Sequence, residues 1–149
     1  MKDKLFYIIA GIFLVAFYFY NNPKVDFVEN SKEGIQFKHE NWSSILSQAK
    51  DENKLVFVDV YATWCGPCKK LKKYTFSDDE VGQYFNANFV NIALDAEKGE
   101  GINIANRYEV NAYPTVLILN SDGELIAKKT GYQNSADLMS FGKGIVSSN

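Results

Sequence analysis

Two cysteines stand two residues apart in Trp64-Cys65-Gly66-Pro67-Cys68-Lys69, and the 149-residue chain has no others. Thiols at this spacing can close on each other when the first opens a helix. There the helix dipole and the unpaired backbone N–H groups favour the thiolate and lower the pKa of Cys65. Cys68 falls one turn in and deeper. The chemistry this allows is thiol–disulfide exchange: Cys65 attacks a substrate disulfide, a mixed disulfide forms, and Cys68 displaces the reduced product. Pro67 sits in the first turn, where its missing N–H does no harm. The bland alternatives are a static disulfide, half of a zinc site, or two inert core thiols. Zinc wants four ligands, and beyond the pair the chain has one histidine, His39, and no further cysteine. Because the pair follows an apolar strand and opens a helix, it reads as redox. No metal is expected, and no cofactor beyond a redox-active Cys65–Cys68 disulfide.

Other residues could assist. Asp59 interrupts the apolar run Leu55 to Tyr61 (LVFVDVY). Desolvation there should raise its pKa and suit it to proton exchange near neutral pH, although a satisfied structural Asp at a strand edge is the rival reading. Tyr113-Pro114-Thr115 leads into a strand, where a residue without an N–H is tolerated at the start. Tyr113 lines a substrate groove or packs in the core. Lys69, Lys70, Lys72 and Lys73 form either a solvated helix face or a positive field that steadies the Cys65 thiolate and steers acidic partners. Tyr74 and Phe76 are expected in the core.

The elements that must position these residues follow from periodicity. Ile35 and Phe37 alternate as a short strand. Trp42, Ile45, Leu46 and Ala49 follow a helical repeat with Asn41 as N-cap. Asn41-Trp42-Ser43 also fits a glycosylation sequon, which the cap explains equally well. Leu55 to Tyr61 suits a strand buried on both faces. A helix starts near Cys65, and Ser77 to Glu80 (SDDE) is a capping box for the next. Phe89 to Leu94 is a strand, Asp95 to Gly101 a loop, and Ile104, Ala105 and Tyr108 mark a short helix. Thr115 to Leu119 and Glu124 to Lys128 flank Asp122-Gly123, a hairpin signal. Leu138, Phe141 and Ile145 line a last helix capped by Asn134 or Ser135. The order β-α-β-α-β-α-β-β-α implies parallel crossovers with an antiparallel hairpin at one edge, in one α/β domain. Hydrophobic residues at 46% and charged residues at 23% are globular composition. Sixteen basic against eighteen acidic residues, net −2, argue against nucleic acid as a partner.

Leu5 to Tyr20 is polar only at its tyrosine hydroxyls. As a helix it is about 24 Å long, a little short of a bilayer core of about 30 Å. No small-residue cleavage pattern follows it. Tyr18 and Tyr20 suit an interfacial belt, and Lys2 and Lys4 suit a cytoplasmic N-terminus. Residues 1–22 therefore read as an uncleaved membrane anchor, with a cleaved signal peptide and a buried core helix as rivals. Pro23 reads as the helix stop. Residues 23–34 read as a polar linker reaching at most about 46 Å, with Val25 to Val28 packing on the domain at 35–149.

From Trp42 to Phe141 the chain resembles the thioredoxin family. The hexapeptide at Trp64 to Lys69 is intact, an acid stands six residues before the first cysteine at Asp59, Pro114 precedes a threonine, and Gly131 follows the last hairpin. The resemblance implies a thioredoxin fold, a central mixed sheet flanked by helices. It implies that Asp59 manages proton transfer at Cys68. It makes Pro114 a cis-proline facing the cysteines, with Tyr113, Pro114 and Thr115 along the substrate groove and Trp64, Gly66, Pro67 and Lys69 supporting the pair. Two positions depart: Asn91 stands where thioredoxins often carry a lysine near the acid, and Tyr61 replaces their usual tryptophan. The entry and the loop at Asp95 to Gly101 look more like the tethered thioredoxin-like domains of bacterial envelopes. The expected activity is reduction of disulfides in envelope proteins by a monomer on the extracytoplasmic (periplasmic) side, fed by a membrane or envelope thiol donor. The rivals are an oxidase or isomerase of the same fold and a non-catalytic binding module.

Overall fold

The computed structural model describes residues 2–21, 24–25, 27 and 30–148. Helix α1 (Lys2–Asn21) carries its large apolar side chains exposed on all sides, from Leu5 to Tyr20. Lys4–Asn21 is long and apolar enough to cross a membrane, and none of it is buried in the fold. Pro23, expected to stop this helix, lies outside the described residues, as does Val28.

The remaining elements are α2 (Trp42–Asp51), β1 (Leu55–Tyr61), α3 (Gly66–Lys70), a π-helical continuation (Leu71–Phe76), α4 (Asp79–Asn88), β2 (Phe89–Asp95), α5 (Gly99–Arg107), β3 (Thr115–Leu119), β4 (Leu125–Thr130) and α6 (Ser135–Val146). The sheet has the order β2-β1-β3-β4. Strand β1 is central because its alternate residues serve two cores. Phe57 and Tyr61 face the layer with Leu71, Phe76, Phe85 and Leu138. Val56, Val58 and Val60 face Ile45 and Ala49 of α2 and Ile104 and Ala105 of α5. Every residue of β1 after Leu55 is buried, as its continuous apolar run requires.

Antiparallel pairing reaches further into the sheet than the order of elements implied. Strand β1 runs parallel to β2 and antiparallel to β3, and β3 pairs antiparallel with β4. The expected strand at Ile35 and Phe37 is reduced to one parallel bridge between Lys38 and Ile92. Both apolar side chains are buried as its alternation demanded, but the N–H of Ile35 goes to Phe76 O (2.7 Å) and the next two go to side chains. Gln36 donates its N–H to Asn86 Oδ1 (2.9 Å) and Phe37 donates to Asn30 Oδ1 (3.0 Å).

Three further local features differ from the sequence expectation. Asp78, not Ser77, caps α4, accepting from Val81 N at 3.1 Å. Ser77 instead donates its hydroxyl to Lys73 O (2.6 Å) at the end of the π-helical segment. That segment's wider i→i+5 turn rotates Tyr74 outward, 56% exposed, and brings Thr75 inside, where its hydroxyl donates to Gln133 O at 2.7 Å. Phe76 is in the core as expected. The caps at Asn41 and Asn134 form as read, accepting from Ser44 N and Asp137 N.

The stretch before residue 35 is packed onto the domain. Val25 donates its N–H to Thr63 O (2.9 Å), and Val25 and Phe27 are both buried. The Phe27 ring lies 4.7 Å from that of Tyr61 and 6.1 Å from that of Phe76, with Lys72 Nζ 5.0 Å above it. Tyr61 is thus the wall against which this segment packs. Gly34 is needed where the segment passes the π-helical turn: a Cβ there would lie 2.1 Å from Phe76 O and 2.7 Å from Ser77 Cα.

Candidate active site

Cys65 and Cys68 form a disulfide, with Cα atoms 5.3 Å apart. Cys65 is the N-cap of α3: its backbone is extended, its sulfur accepts from Cys68 N at 3.1 Å, and Pro67 occupies the first turn. Cys65 arrives there directly from β1, its N–H donated to Ala62 O at 3.0 Å. Five α-helical residues run on into the π-helical segment, so the N-terminal dipole effect falls on the sulfur that caps the helix. Both cysteines are buried, at 3% and 1% exposure, while Trp64, Gly66 and Pro67 around them are exposed. A Cβ on Gly66 would meet nothing within 4 Å, so the space over the pair is open to a partner.

The Tyr113–Pro114 peptide bond is cis. Pro114 O accepts from Gly131 N at 2.8 Å, and Gly131 holds φ at +93°, a conformation that favours glycine. The Tyr113 ring meets the Trp64 indole edge to face, with centroids 6.2 Å apart. Thr115 turns inward: it is 1% exposed, and its hydroxyl donates to Ala112 O at 2.8 Å while lying 3.0 Å from the Thr130 hydroxyl. It braces the turn that carries Pro114; Asn111 and Ala112 before it are exposed, while Tyr113 is half-buried and packs on both core layers as well as on Trp64. Lys69 is partly buried, and its N–H donates to Cys65 O at 3.2 Å.

Asp59 pairs across the sheet with Ala93 on one side and Val116 on the other, on the same face of β1 as Phe57 and Tyr61. That face holds the core layer to which Cys68 belongs. Asp59 is 1% exposed, and neither carboxylate oxygen has a hydrogen-bond partner among the described residues. Burial alone pushes its pKa up to about 8. No charged group enters that shift. Asn91 sits two pairs along the sheet, opposite Phe57, and donates its amide to Asn86 Oδ1 (3.2 Å) and Phe85 O (3.4 Å).

Sequence reasoning missed Glu97, whose Oε1 accepts from Trp64 Nε1 at 2.9 Å. Its one signal was place: the loop after β2 opens at the end of the sheet where β1 delivers the cysteines.

A three-layer α/β fold with a cysteine pair capping the helix after its central strand, beside a cis-proline turn, defines a domain of the thioredoxin fold whose pair is placed for exchange with disulfides. The comparisons agree. The family described as thioredoxin-like domain matches residues 42–143, and the chain belongs to that family. It is 35% identical over 99 residues to the thiol:disulfide interchange protein DsbD of Yersinia pestis, a match covering 64% of this chain but 16% of that protein. The chain thus spans about a sixth of the length of the curated relatives it matches. The solution structure of a candidate disulphide isomerase from Bacteroides thetaiotaomicron is 42% identical, with TM-score 0.68, and covers 78% of this chain and 97% of that one. A thioredoxin from Thermus thermophilus, at 20% identity and TM-score 0.67, shares the fold over 76% of this chain and 88% of its own.

Proposed function

We propose that this chain is a membrane-anchored protein-disulfide reductase, with α1 as the anchor and the thioredoxin-like domain on the extracytoplasmic side. Cys65 is the nucleophile and Cys68 the resolving thiol. The carrying observation is the Cys65–Cys68 disulfide at the N-terminus of α3, with exposed Trp64 and half-buried Tyr113 beside it and Asp59 buried in the layer below.

The Cys65 thiolate attacks one sulfur of the substrate disulfide, and the other sulfur leaves as a thiolate. The Cys68 thiolate then attacks Cys65 Sγ, the second substrate thiolate departs, and the pair becomes a disulfide. Two electrons pass to the substrate. Asp59, with a pKa near that of an ordinary thiol, exchanges a proton with Cys68 at little free-energy cost. The edge at Tyr113, before the cis bond, is suited to pair with an extended substrate segment. A thiol donor in the membrane or envelope must re-reduce the pair.

The test is the redox state of the pair in cells, by acid quenching, alkylation and a gel shift. A mostly reduced pair supports the reductase. A mostly oxidised pair, in cells whose envelope thiol donor is intact, overturns the direction proposed. The likeness to the Bacteroides protein favours a second reading, an isomerase. Recovery of activity from scrambled ribonuclease, exceeding reduction alone, would select it.

A further inference from the structure

The anchor joins the domain beside the redox pair. Only residues 22–24 separate the end of α1 at Asn21 from Val25, which is hydrogen-bonded to Thr63, two residues before Cys65. At ~3.6 Å per residue, Cys65 Cα stays within about 27 Å of the end of α1. A domain of this size is about 35 Å across. A tether docked at the opposite pole would therefore hold the pair farther away than this one can.

The helix that the pair opens is basic and aromatic on its exposed face, while Glu97 places one carboxylate on Trp64 beside it. From Val60 to Ser77 the chain carries Lys69, Lys70, Lys72 and Lys73 and no acidic residue. Lys70 and Lys73 are exposed, with Lys70 Nζ 5.8 Å from the Tyr132 ring centroid and Lys73 Nζ 5.1 Å from that of Tyr74. Trp64, Tyr74 and Tyr132 are exposed as well. Lysines alternating with tryptophan and tyrosine are the side chains that settle at a headgroup layer, and lysines near an anionic surface add electrostatic attraction.

We propose that this face rests on anionic lipid headgroups, so that Cys65 works at the membrane surface and meets partners that approach along the membrane plane. The inference rests on the anchor reading above and not on the direction of electron flow.

The test uses the full chain with Cys68→Ser, a fluorophore on Cys65, and acceptor-labelled headgroups in nanodiscs of either phosphatidylcholine alone or phosphatidylcholine with phosphatidylglycerol. Energy transfer is expected to be higher on the anionic discs and to fall in high salt. Lys70→Glu with Lys73→Glu should bring it to the phosphatidylcholine value. A twelve-residue Gly/Ser insertion between Pro23 and Lys24 should lower transfer on phosphatidylcholine, where the tether alone sets the height. Transfer indifferent to lipid charge, or to the insertion on phosphatidylcholine, overturns the proposal while leaving the anchor and the redox chemistry standing. A chain that does not enter the discs overturns the anchor reading along with it.

Discussion

Trp64 donates its indole N–H to Glu97 across 33 residues of sequence, tying the residue before the nucleophile to the loop after β2. Both side chains are exposed, so the contact contributes little to stability and acts by holding the indole in place beside Cys65.

Glu97→Ala is therefore expected to leave the melting temperature nearly unchanged while lowering kcat/KM for disulfide reduction about 2- to 10-fold, the worth of one hydrogen bond. Glu97→Gln keeps an acceptor and should retain most of the activity. Insulin reduction kinetics and Trp64 emission check both.

The two cysteines separate by role. Cys65→Ser should abolish turnover. Cys68→Ser should still attack and then stall, accumulating mixed disulfides visible on a non-reducing gel.

The raised pKa of Asp59 has a definite sign for stability. Its folded value is about 8 against an ordinary 3.8, so the folded domain holds this proton more tightly than the unfolded chain. That contribution is complete below pH ~4 and is lost as pH rises toward ~8, by up to about 1.4 kcal/mol per unit. Asp59→Asn should remove the slope, gaining on the parent protein between pH 5 and 8. Urea midpoints of the oxidised protein in detergent at three pH values measure it; parallel slopes would refute the assignment.

Gly34→Ala places a methyl against the backbone of Phe76 and Ser77, which cannot swing aside. The expected loss is about 2–3 kcal/mol, seen as a melting temperature lower by roughly 6–12 °C.

What could be read in advance followed the strength of local signals. Strand β1 was legible because seven residues carry one charge, and the cysteine pair because its spacing, proline and position after a strand all agree. Ile35 and Phe37 alternate as a strand does, and their side chains are buried accordingly. Whether the backbone donors pair with a strand or with Asn30 and Asn86 is a tertiary choice that period alone does not encode. Tyr74 was misplaced because an α-helical repeat was carried through a π-helical turn. Ser77 and Asp78 are both good caps, and the end of that turn claimed the first. Glu97 was invisible because an exposed Glu in a loop has no pattern. The packing of Val25 and Phe27 was legible as two apolar side chains within a polar linker, and both are buried.

The brevity of the connection between Asn21 and Val25 has a kinetic consequence. Under the anchor reading proposed above, Cys65 is confined to a slab about 27 Å deep, so encounters with a partner in the same membrane become a lateral search in two dimensions. Effective concentration then scales with the depth of the compartment divided by the depth of the slab. Each residue added to residues 22–24 would dilute the reaction without altering a single atom at the cysteines.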